Sequence, residues 1–212
     1  MLAAVSLPVV AHATETTTTT VEIFVEEWDE PDVAEAMHVE PAIGHYGPFR
    51  VVAPNRATLN GSIESETLAQ FKAMLAAYPA MKQIDIVDCS GTGDDAANFA
   101  IARLIRQRGI ATFVPDGGSA RSGGVELFLA GAKRRAAPTA EFAVHSWRDE
   151  DGREANDYAA NAPENLAYIN FYKEIGMEDG KAKAFYAMTN ATPHDDARYL
   201  RGKDIAAYIP LD

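Results

Sequence analysis

The chain has 212 residues, 47% of them hydrophobic, enough for one domain with a sizeable core. Its formal net charge of −12 argues against nucleic acid or an anionic membrane as partner, since both need clustered Lys and Arg. The one basic cluster, Lys133-Arg134-Arg135, reads as a solvated turn, and the single cysteine excludes a disulfide framework or a multi-thiolate zinc site. No metal and no cofactor is expected.

Leu2 to Val10 is a short apolar run, followed by Ala11-His12-Ala13, the small-x-small pattern of a signal peptidase site. It is too short to span a membrane. Residues 1–13 read as the remnant of an export signal, so the mature protein is expected in the periplasm or secreted, and no later stretch reads as a transmembrane helix. Residues 14–48 read as a leader and an acidic arm: a Thr-rich run from Thr16 to Thr20, strand-like alternation over Val21 to Val25, then acidic irregular chain broken by Pro31 and Pro41. The domain proper is expected over 49–212.

Phe49 to Ala53 and Ala57 to Gly61 suggest short strands, and Leu68, Phe71, Leu75 and Tyr78 recur at helical spacing. Met81 to Val87 is a β-branched strand, and Cys89, following it, reads as a buried small hydrophobe. The turn Ser90-Gly91-Thr92-Gly93 leads into a helix from Asp95 to Arg108, which Gly109 stops. A strand over Ile110 to Val114 precedes the glycine-rich stretch Gly117-Gly-Ser-Ala-Arg-Ser122, a helix from Ser122 to Ala132, and a strand ending at His145. Polar chain from Trp147 to Asn165 reads as a loop, followed by helices ending at Gly176 and spanning Glu178 to Met188, and a short helix or strand around Asp204 to Ile209. Strands alternating with helices through short turns imply right-handed crossovers and an α/β fold with a mostly parallel sheet.

Functional groups in such sheets gather where strand ends feed helix N-termini. Ser122 stands at such a helix start, where free backbone N–H groups favour negative charge, a suitable place for a nucleophile that passes through an oxyanion. The plainer reading is a helix N-cap. His145, closing a neighbouring strand, suits a general base, or else a structural hydrogen-bonder. The N–H groups of Gly93 and Gly123, brought together by adjacent strands, would form an oxyanion hole. A phosphate cradle is the alternative for these turns, but neither fits a phosphate-loop or dinucleotide pattern.

Taken in order over roughly residues 45–210, these motifs resemble the proteolytic subunit of the Clp protease and its relatives in the Clp/crotonase superfamily, exported single-domain bacterial members above all. Ser90-Gly-Thr-Gly93 stands where the family has Ser-Pro-Gly-Gly. Ser122 precedes Phe128-Leu-Ala-Gly-Ala132 and basic residues, and Pro138-Thr-Ala140 leads to His145. Ala191-Thr-Pro-His-Asp195 resembles the segment carrying the family's acid, which places Asp195, or else Asp196, as third member of a Ser-His-Asp triad. The resemblance implies a ClpP/crotonase-like fold of repeated β-β-α units with flanking helices. It implies a serine hydrolase, a peptidase acting on peptide or protein substrates. Family members commonly assemble into rings or dimers, which leaves a homo-oligomer open here. Two departures, Gly91-Thr92 in place of Pro-Gly and Arg121 just before the serine, either narrow the cleft or mark lost activity. The alternative function is therefore a catalytically inactive ClpP-like domain that binds proteins. His194, like His38 and His45, reads as an exposed loop histidine.

Overall fold

The computed structural model describes residues 41–212. The export signal, the leader, the strand over Val21 to Val25, His38 and most of the acidic arm lie outside the described residues. Among the described residues a mixed α/β architecture builds on one strand, β4 (Gln83–Cys89), whose Ile84, Asp85 and Ile86 are buried in succession, as expected of a strand covered on both faces. On one side β4 runs parallel to β3 (Arg56–Asn60), which continues antiparallel to β2 (Phe49–Ala53) and β1 (Gly44–Tyr46). Phe49 and Val51 alternate with less buried neighbours, as do Ala57 and Leu59, so this wing presents a single apolar face to the core.

On its other side β4 forks. Gln83, Ile84 and Asp85 pair with β5 (Ala111–Val114), while Asp88 and Cys89 pair with β6 (Ser119–Arg121). β5 continues to β7 (Arg134–Ala136), and β6 to β8 (Glu141–Val144) and then antiparallel β9 (Arg198–Leu200). Each β-β pair is followed by a helix: β5-β6 by α3 (Gly123–Leu129), β7-β8 by α4 (Pro163–Glu174). This is the repeated β-β-α unit, with a largely parallel central sheet. The remaining helices are α1 (Thr67–Ala77), α2 (Asp95–Gln107), α5 (Asp179–Thr189) and α6 (Gly202–Ala206). Asp94 caps α2 by accepting from the Ala97 N–H at 2.9 Å, and Gly109, at φ 63°, ends it.

Three segments differ from expectation. Gly44–Tyr46, assigned to the acidic arm, is a strand, because its backbone completes the ladder of β2. The glycine-rich stretch before Ser122 contains β6, too short at three residues for any periodic signal. The basic cluster is also a strand: Arg134 is buried, donating from Nε to the Leu129 carbonyl (2.5 Å) and from Nη2 to the Ile175 carbonyl (2.8 Å), so its charge is spent on orphan carbonyls rather than on water. Cys89 is fully buried against Gly124, and burial pushes its thiol up to about 11, which leaves it unreactive as expected.

Candidate active site

The fork in the sheet decides what meets at its edge. β6 and β8 are parallel neighbours in the register Ser119↔Glu141, Ala120↔Phe142, Arg121↔Ala143. Both chains therefore leave the sheet at the same edge, one as Ser122 and the other, two residues past Ala143, as His145. Ser122 sits at φ 47°, ψ −125°, and among the described residues no other non-glycine has positive φ. Its backbone is held on both sides: the N–H donates to the Ala143 carbonyl (2.8 Å) and the carbonyl accepts from the Val125 N–H (2.9 Å). Although Ser122 occupies the N-cap position of α3, its hydroxyl makes no capping hydrogen bond. A strained backbone with an uncommitted hydroxyl disfavours the N-cap reading, since a cap would supply a bond and need no strain. Gly91, at φ 127°, packs directly on this side chain; a Cβ there would come within 3.0 Å of the Ser122 Cβ.

The His145 Nδ1 lies 2.8 Å from the Ser146 carbonyl oxygen. A carbonyl only accepts, so this bond places a proton on Nδ1, and in the neutral imidazole Nε2 is then the lone pair. His194 bonds the same oxygen through its Nδ1 at 3.0 Å, and the two rings meet edge to face at 4.7 Å between centroids. Ser146 is fully buried, its N–H donating to the Thr192 carbonyl (2.8 Å), which fixes the shared acceptor. His194 is thus half-buried against His145, not an exposed loop histidine, whereas His45 is exposed on β1.

Ser122, Gly123, Gly93, His145 and His194 line one cavity of about 180 Å³. Asp195 and Asp196 do not. Asp195 is 78% exposed and accepts two bonds from Arg148 Nη1, at 2.8 and 2.9 Å; Asp196 caps its own loop, accepting from the Ala197 N–H at 2.7 Å. The expected triad carboxylate is therefore not part of the cavity lining, and the His145 Nδ1 bonds the Ser146 carbonyl. The turn after Pro193 presents His194 inward and the following aspartates outward.

The expected oxyanion pair is also changed. Gly123 opens α3, where the first N–H groups lack intrahelical partners, and its carbonyl accepts from Asn98 Nδ2 at 2.9 Å. The Gly93 N–H, however, donates to the Ile63 carbonyl (2.8 Å), because the turn after β4 forms a parallel bridge between Ile63 and Thr92. Arg121 does not enter the cavity. It pairs with Asp88 at 2.9 Å and bonds the Ser119 hydroxyl at 3.0 Å, so it does not narrow the cleft, whereas the Thr92 side chain packs tightly on Gly123.

Sequence reasoning missed the rest of the lining, which includes Asn98, Glu126, Tyr168, Tyr172 and Asn190. Glu126 lies four residues after Ser122, in the first turn of α3. Its burial pushes the carboxyl up to about 7, partly opposed by the Tyr172 hydroxyl, which donates to it at 2.7 Å. Among the described residues no group of three or more His, Cys, Asp or Glu is arranged to hold a metal ion, and no helix is long and apolar enough to cross a membrane.

No protein-family model matches the chain, and no curated protein matches it. Among solved structures it is similar to a variant of ClpP1 from Listeria monocytogenes, with a TM-score of 0.53 and 16% identity over 74% of this chain and 89% of that one. It is also similar to the 1510-N membrane-bound stomatin-specific protease in complex with a substrate peptide, with a TM-score of 0.48 and 22% identity over 73% of this chain and 71% of that one. The ClpP1 likeness shows a ClpP-like fold; the second likeness is too loose in shape to add to it.

Proposed function

We propose that this ClpP-like domain is a serine hydrolase of peptide or protein substrates in which Ser122 is the nucleophile and His145 the general base. The observation that carries the reading is the strained Ser122, its hydroxyl free of any cap, in one cavity with an imidazole whose Nδ1 is tied to a carbonyl. With Nε2 unprotonated, His145 takes the Ser122 proton as the oxygen attacks a substrate carbonyl, then returns it to the leaving amine. The Gly123 N–H stabilises the tetrahedral oxyanion, a contribution of about 3 kcal/mol for one donor in comparable sites.

The third member is a carbonyl rather than a carboxylate. Replacing a triad aspartate by asparagine is ruinous in the trypsin template because it imposes the wrong tautomer. A backbone carbonyl cannot donate, so it preserves the right tautomer and gives up only part of the imidazolium stabilisation. A fluorophosphonate probe tests the reading: wild type acquires one adduct, mapped to Ser122, and Ser122→Ala acquires none. A folded wild type that stays unlabelled would remove the catalytic reading and favour a binding role for the same cavity.

We also propose that the protein works outside the cytoplasm, on the strength of the apolar run and Ala11-His12-Ala13. N-terminal sequencing of protein recovered from the producing cells should find a chain beginning at Thr14; a cytoplasmic, uncleaved product would refute it.

A further inference from the structure

The imidazole of His145 is held by a neutral acceptor. A carboxylate would hold it through a charge-assisted bond, about twice as strong as one between neutral groups. The Ser146 carbonyl, 2.8 Å from Nδ1, offers the weaker kind. A single bond also fixes the ring at one atom and leaves it free to swing about that point. A base that must meet a serine oxygen needs a second contact, because small misplacements of a reacting group cost large factors in rate.

His194 supplies that contact. Its ring stands at 86° to that of His145 with 4.7 Å between centroids, an edge-to-face pair, and among the described residues no other aromatic ring packs on His145. The His194 ring is itself fixed, because its Nδ1 donates to the same Ser146 oxygen at 3.0 Å. Both imidazoles thus hang on parts of the chain that are tied down without them. Ser146 is fully buried: its N–H donates to the Thr192 carbonyl (2.8 Å), and its hydroxyl accepts from the Ala155 N–H and donates to the Trp147 carbonyl, each at 3.2 Å. The turn carrying His194 is anchored by its own N–H on Glu154 Oε1 (3.1 Å) and by Asn156 Nδ2 on the Asn190 carbonyl (3.0 Å). None of these bonds uses the His194 side chain, so the backbone beneath it is held whatever residue stands there.

We propose that His194 is a positioning residue for the base: its ring holds His145 in the orientation in which Nδ1 meets the carbonyl and Nε2 is left for Ser122. This is the orienting task that a carboxylate would perform. The inference rests on the hydrolase reading for its effect on rate, but not for the restraint itself. The His145 Nδ1 bond does not pass through His194, so losing that ring slows the reaction without stopping it.

The restraint is read without any chemistry in Ser122→Ala protein, by proton NMR of the imidazole N–H groups. The His145 Nδ1 proton, identified by its loss on adding His145→Ala, should exchange with water about three- to tenfold faster when His194→Ala is added, the range of one edge-to-face ring pair. His194→Phe, which keeps a ring at that place, should restore slow exchange. The effect on rate is read with the serine intact, from fluorophosphonate reaction with the first-order inactivation constant separated from probe affinity. His194→Ala should lower that constant about three- to tenfold at unchanged affinity, with labelling still running to completion, and His194→Phe should stay within about twofold of wild type. An unchanged constant, a change confined to probe affinity, or a Phe variant as slow as Ala overturns the proposal. If Ser122 is labelled and the His145 proton is indifferent to residue 194, the positioning role is wrong and the hydrolase stands. If wild type is never labelled while the exchange rates follow the expected pattern, the restraint stands and the hydrolase falls.

Discussion

Replacing Glu126 by glutamine should stabilise the folded domain progressively above pH 4.5, with the full gain reached above about 7. Burial raises the carboxyl from its ordinary 4.5 to about 7, with the Tyr172 hydrogen bond lowering it and the Asp95 charge raising it further. A raised acid holds its proton more tightly in the folded state than in the unfolded one. Between 4.5 and 7 the folded chain binds more protons, so its stability is greatest below 4.5 and falls as pH rises through 7. At about 1.4 kcal/mol per pKa unit the loss is about 3 kcal/mol by pH 8. Glutamine keeps the shape and the bond from Tyr172 but never ionises. For a domain of this size the Gln variant should melt about 6–12 °C above wild type at pH 8, relative to their difference near pH 4.5. Thermal melts of both proteins at the two values, followed by circular dichroism, cancel every other titrating group to first order. A pH-independent difference, or a Gln variant that loses ground at high pH, would refute the burial and charge state given to Glu126.

Ser122→Gly should remove activity while raising stability by about 1 kcal/mol in urea denaturation, because glycine accepts φ 47° without the strain serine bears. Gly123→Ala should destabilise by about 1–3 kcal/mol and abolish labelling, since its Cβ would fall 2.6 Å from Thr92 Cγ2 and 3.0 Å from Asn98 Nδ2. His194→Ala should retain labelling at Ser122, because its bond to the Ser146 carbonyl is separate from that of His145. A loss as large as in His145→Ala would instead make it a second essential base.

The helices and the longer strands were legible in the sequence because their apolar spacing repeats over enough residues to be read. Leu68, Phe71 and Leu75 mark α1, and Gly109 ends α2 visibly. Three-residue strands such as β6 and β7 carry no such signal: they are strands because β4 and β5 offer them open edges, a tertiary cause. The same distinction runs through the site. Ser122, Gly123 and His145 could be found because each closes a strand or opens a helix, and such ends gather at one edge of a parallel sheet. The Ser146 carbonyl that His145 bonds could not, since a backbone carbonyl has no residue type to search for. Asp195 follows from the resemblance alone, and the turn after Pro193 aims it at Arg148 instead. Gly93 lines the cavity, but whether its N–H is free to serve as the expected oxyanion donor depends on Ile63, thirty positions earlier.

The claim that a serine and a histidine suffice here, with a carbonyl behind the imidazole, is tested most directly by the rate of fluorophosphonate reaction in three proteins. The account predicts that the Asp195→Asn, Asp196→Asn double variant reacts within about threefold of wild type, while His145→Ala falls by about a hundredfold or more. A double variant that falls as far as His145→Ala would show that one of those carboxylates orients the base after all, and would contradict the account.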